Sequence, residues 1–320
     1  MATIYDVAAL AGVSPATVSR VFNGITVSAE RSERVRAAAE RLSFIPNRTA
    51  RTLRKQSSEV IALIIPDIEN PFFTALARGV EDVAQASGYS VVLCNTDEDA
   101  EKEARYLDVV VSENMAGIIL AAASDLVNLT DLTRRGRPVV AVDRSLPEVD
   151  TVTVDNVAGG RDATRALVEQ GFRRIACITG PRGRTTAEGR ADGWREVLMT
   201  MSAAHGDPDR YLRHADFRVE GGHAAMVDLL NLPEPPDAVF VANNLMAVGA
   251  LRALIEHDLT PPLVGVASFG DLPFATLSPR GVTVIPLPAR LLGEAAAQLL
   301  IERLQGDDRP RQAIRLGNPA

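Results

Sequence analysis

One short stretch near the amino terminus carries side chains suited to reading DNA bases. In residues 15–22, apolar Val18, Val21 and Phe22 mark the inner face of a predicted helix. The other face carries small or hydrogen-bonding residues: Pro15, Ala16, Thr17, Ser19 and Arg20. A helix surface of small side chains fits the major groove, where a guanidinium can donate two hydrogen bonds to guanine. The predicted chemistry is base recognition, with a solvated helix face as the alternative.

A second set of residues suits the binding of a small polar molecule. These residues follow strand-like apolar runs or lie in the loops that such runs lead into: Asn70, Phe72, Phe73, Asp143, Arg144, Arg190 and Asn243. Ligands of parallel α/β sheets bind outside the carboxyl ends of the strands, so these loops are expected to meet. Aromatic rings beside amides, carboxylates and guanidinia favour a polar ligand with an apolar face.

The base-reading helix is predicted to lie within a three-helix unit. A preceding helix is indicated by Ile4, Val7, Ala8 and Ala11, and a following one by Val35, Ala38, Ala39 and Leu42. Between the first two helices, Gly12 can adopt a positive φ, Val13 fills the angle, and Ser14 can cap the second helix. Ser28 is predicted to cap the third helix. This arrangement is a helix-turn-helix.

The remainder of the chain alternates between strand and helix patterns, which favours parallel sheets built from βαβ units. Strands are predicted at 60–65, 91–94, 117–122, 139–142, 175–179, near 211, 238–241 and 263–266. Helices are predicted at 71–87, 101–112, 126–134, 159–170, 187–200, 221–230 and 246–257. Because the alternation forms two series of similar length, we expect two lobes.

Charge separates the two parts of the chain. The net charge is −7, yet residues 1–58 hold nine Arg and Lys against four Asp and Glu. A basic head on an acidic body indicates that only the head meets a polyanion. No basic segment followed by an apolar stretch opens the sequence, and no run of about 18 apolar residues occurs, so we expect a cytoplasmic protein that uses no membrane.

Enzyme and metal chemistry find little support in the motifs. The sequence has no G-x-S-x-G elbow, and residues 180–185 lack the length and the lysine of a phosphate-binding P-loop. The four histidines and the two cysteines show no metal-ligand spacing. We therefore expect no catalysis, no cofactor and no metal, and we assign Cys94 and Cys177 to the core.

The helix-turn-helix is followed by Asn47-Arg48-Thr49-Ala50-Arg51-Thr52-Leu53-Arg54-Lys55, a run too short and polar to form a stable helix alone. The whole amino-terminal sequence resembles the LacI family of bacterial transcriptional repressors. The resemblance implies that this run is a hinge helix, which folds on operator DNA and inserts Leu53 into the minor groove, as in other bent complexes. The residues expected to contact DNA are Tyr5, Pro15, Ala16, Thr17, Ser19, Arg20, Asn23, Asn47, Arg48 and Leu53.

The body resembles the periplasmic sugar-binding proteins, the fold that this family uses for its effector domain. The resemblance implies effector contacts at Asn70, Phe72, Phe73, Asp143, Arg144, Arg190, Phe217, Asn243 and Asp271. Three positions depart from the family pattern: Asn244 and Gly270 stand where acids are common, and Pro286 replaces a glutamine. With arginines at 144, 182, 184 and 190, these departures favour a hydroxylated effector that carries a negative charge, unless Asp271 restores the missing acid.

The predicted fold is α/β: a two-lobed, periplasmic-binding-protein-like core with parallel sheets, preceded by a small all-α helix-turn-helix domain and a hinge helix. The predicted domains are the helix-turn-helix at 1–46, the hinge helix and linker at 47–58, and the effector-binding and dimerisation domain at 59–320. The predicted function is a homodimeric repressor that binds pseudo-palindromic operator DNA under the control of a sugar or sugar derivative. A solute-binding protein and a sugar-metabolising enzyme of the same core fold are the alternatives.

Overall fold

The computed structural model describes residues 2–22, 25–44, 58–124, 127–201, 208–272 and 281–317. The chain divides into two compact units, Met1–Ser58 and Glu59–Ala320, referred to below as the DNA unit and the effector unit. The division agrees with the change of sequence pattern near residue 58. The separate hinge domain at 47–58 stays a prediction, because residues 45–57 lie outside the described part of the chain.

The described part of the DNA unit contains three helices: α1 (Ile4–Ala11), α2 (Pro15–Phe22) and α3 (Ala29–Arg41). Their apolar faces form one small core, which includes fully buried Val7, Val18 and Val35. Gly12 ends α1 with a φ of +61°, as expected for the turn between the first two helices. Ser28 occupies the position before α3, but its side chain makes no capping hydrogen bond, so the expected cap is wrong in that respect.

The effector unit contains eight α-helices and eleven strands within the described ranges. The strands are β1 (Val60–Ile65), β2 (Ser90–Asn95), β3 (Gly117–Leu120), β4 (Val139–Val142), β5 (Asp150–Val154), β6 (Ile175–Thr179), β7 (Leu212–His214), β8 (Ala238–Val241), β9 (Gly265–Phe269), β10 (Val282–Ile285) and β11 (Ala313–Leu316). The helices are α4 (Pro71–Ala86), α5 (Ala100–Ser112), α6 (Thr130–Arg134), α7 (Asn156–Glu169), α8 (Thr185–Thr200), α9 (Val219–Leu230), α10 (Asn244–Glu256) and α11 (Ala289–Leu304). A 3-10 turn at Pro208–Tyr211 precedes β7.

Two parallel sheets define two lobes, which confirms the predicted fold class. The first lobe has the strand order β11-β5-β4-β3-β1-β2, and the second has β10-β9-β8-β6-β7. Strands β1 and β8 each lie between two other strands of their sheets and are almost entirely buried, because helices cover both faces. In each lobe the strand order reverses beside the strand that comes first in the sequence, β1 in the first lobe and β6 in the second. Such a reversal opens a crevice at the carboxyl ends of the strands.

The carboxyl-terminal part of the chain returns to the first lobe, which the sequence pattern did not reveal. Helix α11 packs against α4, and β11 pairs with β5 at the sheet edge. Arg303 of α11 holds the carboxyl-terminal segment against this lobe by donating two hydrogen bonds, of 2.8 and 2.9 Å, to the buried carboxylate of Asp150. Strands β5 and β11 escaped prediction because threonine and arginine alternate with their apolar residues, as suits strands nearer an edge.

One predicted helix is shorter than expected. The pattern predicts a helix over 126–134, but α6 begins at Thr130, and residues 127–129 are not helical. The amide oxygen of Asn128 accepts a hydrogen bond from the Thr130 N–H at 3.0 Å, which forms a local turn in place of a helical one. Residues 125 and 126 lie outside the described part of the chain.

Helices α7 and α8 pack at unusually short range, which fixes the position of Arg190. A Cβ on Gly160 would lie 2.1 Å from the carbonyl oxygen of Arg190. A Cβ on Gly193 would lie 2.1 Å from the carbonyl oxygen of Val157. Because backbone meets backbone at both points, only glycine fits there, and α8 holds its place along α7.

Both cysteines of the chain lie in the protein interior. Cys94 and Cys177 are buried free thiols, and burial raises the pKa of both. They therefore stay protonated and behave as small apolar residues, as predicted.

Within the ranges that the structure covers, no helix combines the length and the apolar character needed to cross a membrane.

Candidate DNA-contact and effector sites

The outer face of α2 presents the residues that the sequence assigns to base recognition. Ala16 and Arg20 are exposed, whereas Pro15, Thr17 and Ser19 are half-buried. Tyr5 of α1 adds a large ring that is 70% exposed. Arg20 is a basic residue in the last turn of α2 and carries the guanidinium of this surface.

Two local contacts hold α2 at a fixed angle to α1. The Ser14 hydroxyl accepts a hydrogen bond from the Thr17 N–H at 3.2 Å, so Ser14 caps α2 as predicted. From α3, the Arg34 guanidinium donates to the carbonyl oxygens of Ala11 and Gly12, at 2.5 and 3.3 Å. A cation there satisfies the last carbonyls of α1 and locks the turn.

Four of the predicted DNA-contacting residues lie outside the described residues. They are Asn23, Asn47, Arg48 and Leu53. Their roles, including the minor-groove wedge at Leu53, stay predictions from the resemblance.

The predicted effector residues come together at a cavity between the two lobes of the effector unit. Of the nine, eight line it: Asn70, Phe72, Phe73, Asp143, Arg144, Arg190, Phe217 and Asn243. The cavity is also lined by residues without a predicted role: Asp67, Glu98, Thr186, Asp216, Arg218, Asn244, Phe269 and Leu287. Asp271 is exposed and is not among the lining residues, so the expected compensation for Gly270 does not take place in this arrangement.

Asp143 and Arg190 form the charged centre of the cavity, one from each lobe. Asp143 follows β4 and is 6% exposed, and Arg190 of α8 is likewise 6% exposed. Burial raises the pKa of Asp143, although Arg190 and Arg144 oppose the rise. An Arg190 nitrogen lies 4.0 Å from the Asp143 carboxylate, beyond hydrogen-bond range. This carboxylate can therefore accept hydrogen bonds from a ligand.

The Arg190 guanidinium is held on three sides. Its Nε donates to Asn156 Oδ1 and one terminal nitrogen donates to the Ala242 carbonyl oxygen, both at 2.8 Å. The group also lies 4.5 Å from the centre of the Phe269 ring, a cation–π distance. Burial lowers the pKa of Arg190 to about 10, so the group keeps its charge at neutral pH.

Arg144 is engaged by a carboxylate that the sequence reading overlooked. Both terminal nitrogens of Arg144 donate to Glu98, and one also donates to the Ala122 carbonyl oxygen. Arg184, from the second lobe, lies 3.4 Å from the same Glu98 carboxylate. Glu98 follows β2, so the rule that ligand sites lie at strand ends would have found it had it been applied to that strand.

Amide side chains join the lobes on the other side of the cavity. Asn244 Nδ2 donates to Asn70 Oδ1 at 3.1 Å, a bond that an aspartate at position 244 could not make while ionised. The Oδ1 of Asn243 caps α10 by accepting from Met246 N at 3.0 Å. The Asn243 amide nitrogen is then the atom of that side chain suited to donate to an effector.

Aromatic rings form much of the remaining surface. Phe72 and Phe73 pack edge to face, with ring centres 5.0 Å apart. The Phe217 ring lies against Gly180, where an added Cβ would come within 2.1 Å of the ring. Phe217 also has a φ of +65°, which is unfavourable for a bulky residue and is typical of functional sites. Within the described ranges, no group of three His, Cys, Asp or Glu residues is placed to hold a metal.

Comparison with known families supports both units of the chain. Residues 3–47 match the family described as "Bacterial regulatory proteins, lacI family". Residues 58–315 match "Periplasmic binding proteins and sugar binding domain of LacI family". The second match alone spans most of the chain, including every residue that lines the cavity.

Individual relatives agree along nearly the full length. The chain is 38% identical to the ribose operon repressor of Halalkalibacterium halodurans, over 95% of this chain and 91% of that protein. A structure described as the transcriptional regulator CelR–cellobiose complex superposes with a TM-score of 0.74 at 31% identity, covering 100% of this chain and 98% of that one. The lac repressor dimer bound to operator and an anti-inducer gives a TM-score of 0.85 at 27% identity, covering 99% and 96%.

Proposed function

We infer the function of this chain from its family, since it belongs to the LacI family of bacterial regulatory proteins. The chain is a sequence-specific, DNA-binding transcriptional repressor controlled by a small polar effector. One observation carries this function: the same chain contains helix α2, whose outer face is assigned to base recognition, and a two-lobed unit with a polar cavity. The proposed place of action is the cytoplasm, where bacterial DNA is found.

The effector that fits the cavity best is a neutral, hydroxylated molecule such as a sugar. An anion would need an arginine that no carboxylate faces, but Glu98 binds both Arg144 and Arg184. Arg218 lines the cavity together with the carboxylates of Asp67 and Asp216. Arg190 faces Asp143, so an anion beside it would also meet that carboxylate. The expectation of a charged effector is therefore replaced by that of a polyol whose hydroxyl groups donate to Asp143 and accept from Asn243.

The effector controls DNA binding by favouring one arrangement of the two lobes. Three side-chain pairs already face each other across the cavity: Asn70 with Asn244, Glu98 with Arg184, and Asp143 with Arg190. A ligand that bonds to both lobes stabilises the closed arrangement by its difference in affinity for the open and closed states. The first lobe directly follows the predicted hinge, so its movement is the route by which closure alters operator binding.

The functional unit proposed is a homodimer on a pseudo-palindromic operator. One recognition helix covers only a half-site, and a two-fold axis supplies the second copy. The similarity to a repressor dimer on its operator supports this assembly. Light scattering is expected to give twice the chain mass at micromolar concentration. A monomer that retains full operator affinity would contradict the proposal.

Selection of binding sites from a random DNA library tests the DNA-binding function. The full chain should enrich sequences with two-fold symmetry, and Arg20→Ala should lose that enrichment while Arg165→Ala keeps it. Arg165 is an exposed residue of α7 in the effector unit, so this control removes the same charge away from α2. Failure to enrich any sequence would point to the solute-binding alternative.

Calorimetry on the full chain tests the effector class and the enzyme alternative together. Neutral sugars are titrated beside their phosphates and uronic acids, and the neutral member of a pair is expected to bind more tightly. No turnover of the sugar is expected, because the relatives that this chain matches are named as repressors. Tighter binding of the charged members would instead support the sequence-based prediction of a negatively charged effector.

A further inference from the structure

The cavity is polar on one side and apolar on another. Asp143, Arg190 and Asn243 supply hydrogen-bonding atoms, whereas Phe269 and Leu287 line it at the ends of neighbouring strands β9 and β10. These two strands pair directly, with Ile285 opposite Phe269. The residues Phe269, Gly270, Pro286 and Leu287 are together called the apolar wall below, and of these Phe269 and Leu287 line the cavity.

Several backbone groups of the apolar wall are already hydrogen-bonded within the protein. The Gly270 N–H donates to the Ile285 carbonyl oxygen at 2.8 Å. The Gly270 carbonyl oxygen accepts from the buried Ser268 hydroxyl at 2.9 Å. Pro286 has no N–H, and the Leu287 carbonyl oxygen accepts from Ala289 N at 2.8 Å. The Gly270 N–H, the Gly270 carbonyl oxygen and the Leu287 carbonyl oxygen are thus bonded within the protein.

Gly270 leaves one position of this wall without a side chain that could have made it polar. A Cβ at position 270 would lie 3.4 Å from Leu287 Cδ1 and 3.5 Å from Asn244 Cβ, both in residues that line the cavity. A longer polar side chain there would reach the cavity. Gly270 has a φ of +96°, which favours glycine over any residue with a side chain.

We propose that the effector is a neutral monosaccharide that presents a methyl group, not a hydroxyl group, to the apolar wall. The Phe269 ring faces the Arg190 guanidinium, 4.5 Å away, and the Leu287 side chain has no hydrogen-bonding atom. A hydroxyl group placed against Leu287 would therefore lose its water without gaining a hydrogen bond from either wall side chain, which disfavours binding. A methyl group there gains contact with both side chains. This inference rests on the proposed effector function and specifies which sugars satisfy it.

Matched pairs of sugars test the proposal by calorimetry on the full chain. Each aldohexose is titrated beside its 6-deoxy analogue, in which a methyl group replaces the exocyclic CH₂OH and the pyranose ring is kept. The tightest ligand is expected to be a deoxy sugar that binds about tenfold more tightly than its hydroxylated partner, the range for an unpartnered buried hydroxyl. A hydroxylated sugar as the tightest ligand, or the absence of binding by every sugar, would overturn the proposal.

Two substitutions at Leu287 separate specificity from simple loss of packing. Leu287→Gln places an amide at the wall and should reverse the preference in favour of the hydroxylated sugar. Leu287→Ala should weaken the binding of both sugars and reduce the preference without reversing it, because it removes apolar contact and adds no hydrogen-bonding group. Fluorescence of the single tryptophan, buried Trp194, verifies that both variants fold. An unchanged preference in folded Leu287→Gln would contradict the proposal, and selection from the DNA library reports on the repressor function independently.

Discussion

The DNA unit and the effector unit assemble their candidate sites in opposite ways. The described DNA-contact residues lie within 16 positions of one another, from Tyr5 to Arg20, and the main surface is one face of α2. The effector cavity draws its lining from residues as far apart as Asp67 and Leu287, on several strand ends and helices of two lobes. A site on one helix depends on local structure, whereas a site between lobes depends on the packing of the whole unit.

The largest expected effect comes from disturbing that packing without touching the cavity lining. Gly193→Ala puts a methyl group 2.1 Å from the Val157 carbonyl oxygen, and neither helix can move away without shifting Arg190. The free energy of unfolding should fall by about 3 kcal/mol, at the upper end for overpacking. Denaturant unfolding followed by Trp194 fluorescence measures it, since Trp194 adjoins the substitution and is fully buried.

The matched control for Gly193→Ala is Gly189→Ala, one turn earlier in α8. Its Cβ would meet side-chain atoms of Asn156 and Val157 at 3.3 and 3.6 Å, contacts that can relax. Little loss of stability is expected, because alanine favours a helix over glycine by about 1 kcal/mol. Equal losses in the two variants would show that the close approach of α7 and α8 does not hold the site.

The next effect concerns the central carboxylate. Asp143→Asn keeps the shape of the side chain but removes the negative charge that faces Arg190. It also removes one oxygen that could accept a hydrogen bond from an effector hydroxyl. Effector affinity should fall by about 1.5–3 kcal/mol, the range for hydrogen bonds to charged groups. Calorimetry measures the affinity, with exposed Asp131→Asn of the same lobe as the control. Unchanged affinity would mean that the effector does not reach Asp143.

A local change in the DNA unit should have a narrower effect. Arg20→Ala should flatten the preference among operator variants and cost about 1–3 kcal/mol of specific binding, with effector binding unchanged. Leu53→Ala should weaken specific complexes while salt-dependent, non-specific binding persists. Gel shifts over a range of salt concentrations distinguish the two variants. If both lost specific and non-specific affinity equally, the assignment of groove roles would be wrong.

The smallest effect is a pH dependence in the effector unit alone. Burial raises the pKa of Asp143 in the empty cavity, and hydroxyl donors from an effector stabilise the charged carboxylate and lower that pKa. Effector affinity should therefore be highest above the pKa of the free protein and should fall as pH drops towards the lower pKa of the complex. Calorimetry in buffers of different ionisation enthalpy should detect proton release on binding in this window, and Asp143→Asn should abolish it.

The sequence by itself determined the features that depend on neighbouring residues. Val18, Val21 and the Ser14 cap sufficed to predict α2 and its outer face, because helix periodicity and capping act within a few positions. Asp143, Arg190 and Asn243 were predicted because parallel strands end at a common edge, which makes strand-end loops recognisable one at a time. The two lobes followed from the same alternation of patterns.

Only the tertiary structure decided how these groups combine. It brought Glu98 to Arg144, 46 positions away in the sequence. The Glu98 carboxylate thereby binds the guanidinium that the sequence assigned to an anion. It placed Phe269 and Leu287 at the cavity and left Asp271 exposed, and it returned α11 and β11 to the first lobe. The physical reason is that side-chain partners and edge-strand pairing depend on contacts between distant residues, which local periodicity does not encode.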